Sequence, residues 1–592
     1  MQRIPQNIEK LRPLFSKMHL HHILVAIFSV FGLASAANIV ILDYITVKGG
    51  PANVANANTT IAFFDVPYAS APIGSLRFMP PMKPPKQRGV FDASSRRGIS
   101  CMQHSSSPGI QYTEDCLVLD IYVPPEGDVL PLPVLVYIHG GFFKENSKNF
   151  FNGDNVLRTA GVPKAIVVVP NYRLNVFGFL ASKELRDAGG LNSGLLDQKM
   201  ALEWVQENIG LFGGDPDRVT LWGQSAGAKS VATHVVANYR PSLFNKIVIQ
   251  SGGVLPVCLT AEMGQPTFDA VVKATRCSNS NNTINCLQRV SAEQLVAESA
   301  NIDWFLPVVD GDYITQQPAL SVNANLLNHV PALIMTTTDE GTLQAQGYSN
   351  SKATDFDNIL KYLFLFVTKQ REVQSIKQIY SASNYHDDGH HSAMFYRISD
   401  VFGDTNYKCP AKQLAQILHE NGQLVYVSRF NHIPDIKSSQ QFDNMGVYHG
   451  ADNQFLWNFT GQLNPESHED HLSLIMITSL LEFVHGLPPS RVSWPQYTTS
   501  SPHRLIWELP MRSRLEFDNP IHDKKCSELE SIELSYSWNG SALEAAPSIG
   551  VSGTKPENSA ATDQSVHQKS AATKPPFSLF PLASLFIAFL LC

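Results

Sequence analysis

The feature that most constrains this chain is a series of seven short, apolar, β-branched runs spread along it. They fall at residues 133–138, 165–169, 219–222, 246–249, 332–335, 424–427 and 505–507, bounded by Gly, Pro or Asn. A strand that is apolar at nearly every position has both faces covered, and a parallel sheet flanked by helices provides that. Helical stretches such as 195–209 lie between the runs. The expected fold is therefore α/β: a mostly parallel, doubly wound central sheet covered by helices on both faces. No internal repeat accompanies the alternation.

Composition serves mainly to exclude. With 44% apolar and 16% charged residues in 592, the chain buries a large core. A formal charge of −7 gives no basic surface for nucleic acid, so no such partner is expected.

Both ends carry processing patterns. Arg3, Lys10, Arg12 and Lys17 precede an apolar run at 23–33 that ends in Ala34-Ser35-Ala36, so residues 1–36 read as a secretory signal peptide. The alternative is an uncleaved signal anchor, for which that run is short. A folded domain is expected over 37–544. Residues 545–576, rich in Ser, Ala, Thr, Pro and Lys, have too few large apolar groups to fold and read as a disordered stalk. The hydrophobic tail 577–592 has the pattern of a GPI-anchor signal, with a short tail-type membrane helix as the rival. Small triplets at Asn558 and at Ser570 both suit the attachment, and membrane contact is expected only through that lipid anchor. Eight cysteines without a C-x-x-C pair point to disulfides in an oxidising compartment. Sequons at Asn58, Asn281, Asn458 and Asn539 would carry glycans on surface loops.

The chemistry concentrates at Gly223-Gln224-Ser225-Ala226-Gly227. A bare G-x-S-x-G is weak, but here 218–222 reads as a strand and 228–237 as a helix. That setting forces a serine onto a tight turn above a sheet. A serine hydroxyl needs a base to take its proton, and the base needs a carboxylate to fix its tautomer. In the α/β-hydrolase order the acid and then the histidine follow in loops beyond later strands. The run 331–335 leads into Asp339-Glu340-Gly341, which makes Glu340 the candidate acid and Asp339 the fallback. Beyond 424–427 comes Tyr448-His449-Gly450, with His449 the candidate base among nineteen histidines. Spacing alone does not separate it from His432 or His485. An oxyanion hole needs preorganised N–H donors. Ala226 should give one, and Gly141 and Phe142, where the run 133–138 passes into the pair Gly140-Gly141, the others.

With these motifs go Val66-Pro67-Tyr68-Ala69, Leu76-Arg77-Phe78, Glu114-Asp115-Cys116-Leu117 and Asn171-Tyr172-Arg173. Gly194-Leu195-Leu196-Asp197-Gln198 and Phe212-Gly213-Gly214-Asp215-Pro216 complete the series. So ordered, the sequence resembles the type-B carboxylesterase/lipase family of cholinesterases and fungal lipases, from about residue 40 to 540. The resemblance settles the histidine on His449 and implies one large catalytic domain with a Ser225/Glu340/His449 triad. It implies a small-molecule ester substrate, no metal and no organic cofactor. It also implies three disulfides, Cys101 with Cys116, Cys277 with Cys286 and Cys409 with Cys526, leaving Cys258 unpaired.

Departures narrow the expected substrate. The loop between Cys101 and Cys116 lacks the tryptophan that cholinesterases carry there, which argues against a choline-ester specialist. Gln224 replaces the glutamate that many members place before the serine, removing a charge that favours cationic substrates. Phe142 stands where relatives have a third small residue, so its ring should crowd the acyl side. A short-acyl carboxylesterase is the expectation. The rivals are a lipase on longer chains and a non-catalytic adhesion protein of the same fold.

Overall fold

The computed structural model describes residues 38–537 apart from 53–59, 126–130, 159–162, 238–241, 256–257, 303–304, 349–355, 358–359, 361–369, 436–441, 443, 459–462, 511–513 and 518–519. The expected signal peptide, stalk and tail, and the sequons at Asn58 and Asn539, therefore lie outside the described residues. The described residues from Val40 onward form one compact unit.

An eleven-stranded sheet organises the unit. Its strands are β1 (Gly50–Pro51), β2 (Ile61–Pro67), β3 (Val118–Val123), β4 (Leu132–Ile138), β5 (Ile166–Pro170), β6 (Gly214–Gln224), β7 (Lys246–Gln250), β8 (Ala332–Thr337), β9 (Val425–Phe430), β10 (His503–Trp507) and β11 (Arg514–Phe517). In space the order is β11-β10-β9-β8-β7-β6-β4-β5-β3-β2-β1. The seven strands from β10 to β5 run parallel, and they are the seven runs read from the sequence. The four further strands pair antiparallel at the two edges.

Each apolar strand feeds two cores because its side chains alternate between the faces. Val134, Val136 and Ile138 of β4 lie in one core, and Leu135 and Tyr137 in the other. Helices α1 (Ser193–Asn208), α2 (Ala226–Val236) and α4 (Cys409–Glu420) cover the first face; α3 (Ala393–Gly403) and α5 (His468–Val484) cover the second. The sequence reading of 195–209 as a helix matches α1, which passes into a tighter 3-10 turn at Ile209–Phe212.

Two features fix the strands that carry the site. Beneath β6, Trp222 stacks on Trp457 at 4.7 Å between ring centres, and Tyr137 of β4 sits 4.6 Å from Trp222 and 4.5 Å from Trp457. Such aromatic pairs add about 0.5–1.5 kcal/mol each beyond area burial. At the antiparallel edge, Lys148 reaches Asp65 of β2 and Asp120 of β3, each at 2.6 Å, with all three side chains fully buried. Breaking such a buried group by removing one partner costs about 3–5 kcal/mol.

The three disulfides join the pairs expected: Cys101–Cys116, Cys277–Cys286 and Cys409–Cys526, with Cys258 free and buried. Of the described sequons, Asn281 is exposed, whereas Asn458 is half-buried and caps the end of a short helix. Among the described residues no helix is long and apolar enough to cross a membrane.

Candidate active site

Ligands of open α/β sheets bind beyond the carboxyl ends of the parallel strands, and the candidate residues all stand there. Gly141 and Phe142 follow β4, Ser225 follows β6, Glu340 follows β8 and His449 lies in the loop beyond β9.

Ser225 sits between β6 and α2 at φ 57°, ψ −121°, a conformation that L-residues avoid and that costs on the order of 1–3 kcal/mol. Its surroundings hold it there. The Ser225 N–H donates to the Gln250 carbonyl of β7 at 2.9 Å, and its carbonyl accepts the Lys229 N–H at 2.9 Å. Gly227 must lack a side chain, because a Cβ would lie 2.0 Å from the Ile138 carbonyl oxygen of β4. Helix α2 thus starts hard against two strands.

The same close approach brings the oxyanion segment to the serine. A Cβ on Gly140 would lie 2.9 Å from Ser225 Cβ, so the backbone after β4 abuts the nucleophile's turn. Gly141, Phe142 and Phe143 then take φ 110°, 56° and 60° in succession. Left-handed backbone at two phenylalanines is strained. Around it, Phe143 packs on Phe179 and the Phe143 carbonyl accepts the Asn175 N–H at 2.7 Å. Burial pushes the neighbouring His139 down to about 4 and so keeps it neutral, with its ring stacked on Tyr172. Ala226 opens α2, so its N–H is among those a helix leaves unpaired.

Glu340 and His449 form a buried pair. His449 Nδ1 lies 2.6 Å from Glu340 Oε2, and Glu340 Oε1 accepts the Thr337 N–H at 2.8 Å. Exposure is 0% for Glu340 and 1% for His449. The fallback acid is engaged elsewhere: Asp339 Oδ2 accepts the Val447 N–H at 2.7 Å, and burial raises its carboxyl. The other two histidines are also occupied apart from the site, His432 on Glu469 at 2.7 Å and His485 on the Lys164 carbonyl at 2.6 Å.

Two contacts at this centre were not foreseen. Gln224 Nε2 stands 3.2 Å from His449 Nε2, and the Tyr407 phenol interacts with the Ser225 side chain. The Tyr407 ring stacks on the His449 imidazole with centres 4.2 Å apart and planes 25° apart. Tyr407 belongs to a π-helical turn, Asp404–Lys408, inserted between α3 and α4. Such insertions occur often at functional sites, but the turn's contact with the serine spans 182 positions of sequence and no local pattern announces it. Among the described residues no group of three or more metal-ligating side chains is present.

The chain is 29% identical to a secreted triacylglycerol lipase of Gibberella zeae over 78% of this chain and 86% of the lipase. It is 29% identical to an acetylcholinesterase of Bungarus fasciatus over 74% and 78%, and 27% identical to a pyrethroid hydrolase of Mus musculus over 82% and 92%. The crystal structure of Aspergillus niger EstA superposes with a TM-score of 0.74 at 27% identity, covering 85% of this chain and 99% of EstA. The family model described as the carboxylesterase family matches residues 36–526. On a match of that span, the chain belongs to the carboxylesterase family.

Proposed function

We propose that this carboxylesterase-family hydrolase cleaves carboxylic esters with short acyl groups through an acyl-Ser225 intermediate. The observation that carries the reading is the fully buried Glu340–His449 pair beside a serine held on a strained strand-to-helix turn. His449 Nε2 takes the Ser225 proton as Oγ attacks the ester carbonyl, and Glu340 holds Nδ1–H and stabilises the imidazolium. The N–H groups of Gly141, Phe142 and Ala226 receive the oxyanion; losing one such donor costs roughly 10² to 10³ in rate. His449 then protonates the leaving alcohol, and water repeats the sequence on the acyl-enzyme. To begin, Ser225 must turn from Tyr407 and Gln224 must release Nε2. Both are side-chain rotations, and contacts of this kind tighten when substrate binds.

Two features favour short acyl groups. Phe142 places a ring at the third position of the oxyanion segment. The Cys101–Cys116 loop has too few residues to cover a long groove and is tied down, Gln103 to the Asn146 carbonyl at 3.0 Å and Ser105 to Glu145 at 2.7 Å. The disulfides and the name of the secreted lipase relative favour an extracellular place, with residues 1–36 removed, glycans on the sequons and a GPI anchor replacing the tail. Release of the protein from cells by phosphatidylinositol-specific phospholipase C tests the anchor; a tail retained in the mature chain counts against it.

A panel of p-nitrophenyl esters graded by acyl length tests the activity. The highest kcat/KM should fall between acetyl and butyryl, with no jump in rate beyond the substrate's solubility limit. Strong activation on emulsified triglyceride, as the lipase relative's name would suggest, replaces this reading with a lipase. No turnover of any ester leaves the adhesion reading.

A further inference from the structure

Lys229 stands one turn beyond the nucleophile on α2, and helical side chains lean toward the helix N-terminus, here toward Ser225. The residue as a whole is half-buried. Nζ donates to Asn406 Oδ1 at 3.0 Å and lies over the Tyr407 ring, 5.3 Å from its centre. Among the described residues no carboxylate comes within ion-pair distance of it. The next cation along, Lys408, is by contrast paired with Asp404 at 2.9 Å. Burial alone pushes the Lys229 ammonium down to about 8, with no neighbouring anion to oppose it. A desolvated charge without a counter-charge is costly, and this one shares Tyr407 with the reacting serine and histidine.

The His449 imidazole lies 4.2 Å and the Lys229 ammonium 5.3 Å from the centre of the Tyr407 ring, so one ring joins the ammonium to the base. The leaving alcohol departs beside His449, which must protonate it. The acyl part extends away from it.

We propose that Lys229 is a specificity-determining residue that binds a carboxylate on the acyl part of the substrate, so that the enzyme favours monoesters of dicarboxylic acids over neutral esters of equal length. Rigidly placed by the π-helical turn, Asn406 and Tyr407 hold the ammonium where the far end of a short diacid monoester comes to rest. The inference rests on the ester-hydrolase reading above.

The test compares kcat/KM for monoethyl glutarate and ethyl pentanoate, which differ by a carboxylate in place of a terminal methyl. Carboxymethyl butyrate, charged on the alcohol side, is the third substrate. Turnover of ethyl pentanoate shows separately whether the ester-hydrolase reading stands. In Lys229→Met the glutarate-to-pentanoate ratio should drop at least tenfold, and Lys229→Arg should restore most of it. The wild-type enzyme supplies an arm free of folding effects, since both esters share the same triad. Its ratio should fall as pH rises through about 8, where the ammonium loses its proton while Tyr407, raised by burial, stays neutral. A ratio indifferent to both the substitution and pH overturns the proposal. A response confined to carboxymethyl butyrate overturns its acyl-side placement.

Discussion

Glu340→Gln tests the acid with little steric disturbance, and its outcome follows from the two bonds the carboxylate makes. Oε1 accepts the Thr337 N–H at 2.8 Å and Oε2 meets His449 Nδ1 at 2.6 Å. A glutamine offers one oxygen and one NH2. Turning the NH2 toward Thr337 would set two donors face to face in a fully buried place, at about 1–3 kcal/mol. The oxygen therefore keeps the Oε1 position and the NH2 faces Nδ1. Nδ1 must then accept, the imidazole proton moves to Nε2, and the nitrogen that should take the serine's proton already carries one. A wrong tautomer in an otherwise intact triad costs about 10⁴ in kcat, or about 5.4 kcal/mol of transition-state stabilisation. No cavity forms and the Thr337 bond survives, so the Tm should stay within a few degrees of the wild type. Initial rates on p-nitrophenyl butyrate at neutral pH and a thermal melt decide it. A kcat within tenfold of the wild type at equal Tm would refute the reasoning. Asp339→Asn is the control: its oxygen can keep the Val447 bond, and it should lose less than tenfold.

Phe142→Gly should relieve about 1 kcal/mol of left-handed strain and move the acyl optimum to longer chains in the graded ester series; an unmoved optimum removes the ring from the acyl site. Gly227→Ala should cost well over 1 kcal/mol and abolish turnover, because the new Cβ meets the Ile138 carbonyl at 2.0 Å; a wild-type melt with full activity would show the turn to be more pliable than described. Glu145, buried under the oxyanion segment, has its carboxyl pushed up to about 7 by burial, with the Ser105 hydroxyl and Lys144 opposing. The native carboxyl keeps a proton that the unfolded chain releases near 4.3, so its stabilisation is full below that pH and is lost as pH rises through about 7. Glu145→Gln should remove a loss of about 2–3 kcal/mol between mildly acidic and mildly basic pH; identical Tm-against-pH curves for variant and wild type would contradict it.

How far the sequence could be read depended on where compensation lay. The seven parallel strands announced themselves as apolar runs because both of their faces are covered. Strands β2 and β3 did not, since each carries an aspartate, Asp65 and Asp120, in its middle. Their charge is met by Lys148 together with Arg96 and Arg97, and no local pattern connects Lys148 to them. Strand β11 has four residues of mixed polarity at the sheet's edge and offers no periodicity to detect. At the site, Ser225 and Glu340 stood out because each follows a strand beside glycine, whereas His449 was separated from His432 and His485 only by the family resemblance. The structure adds that Glu340 rather than Asp339 meets His449, their carboxylates pointing to His449 and Val447 respectively. Tyr407 and Gln224 were not legible as partners of the serine and the base, because those contacts arise only when loops from distant strands converge. Lys229 was in view all along, four residues after the nucleophile, but its lack of a counter-charge is a property of the folded chain.

The most direct test of the account is covalent. Incubated with a fluorophosphonate, digested and mapped by peptide mass spectrometry, the protein should carry the adduct on Ser225 alone, and Ser225→Ala should neither label nor turn over ester beyond a residual rate. An adduct on another residue, or undiminished ester hydrolysis by Ser225→Ala, would contradict it.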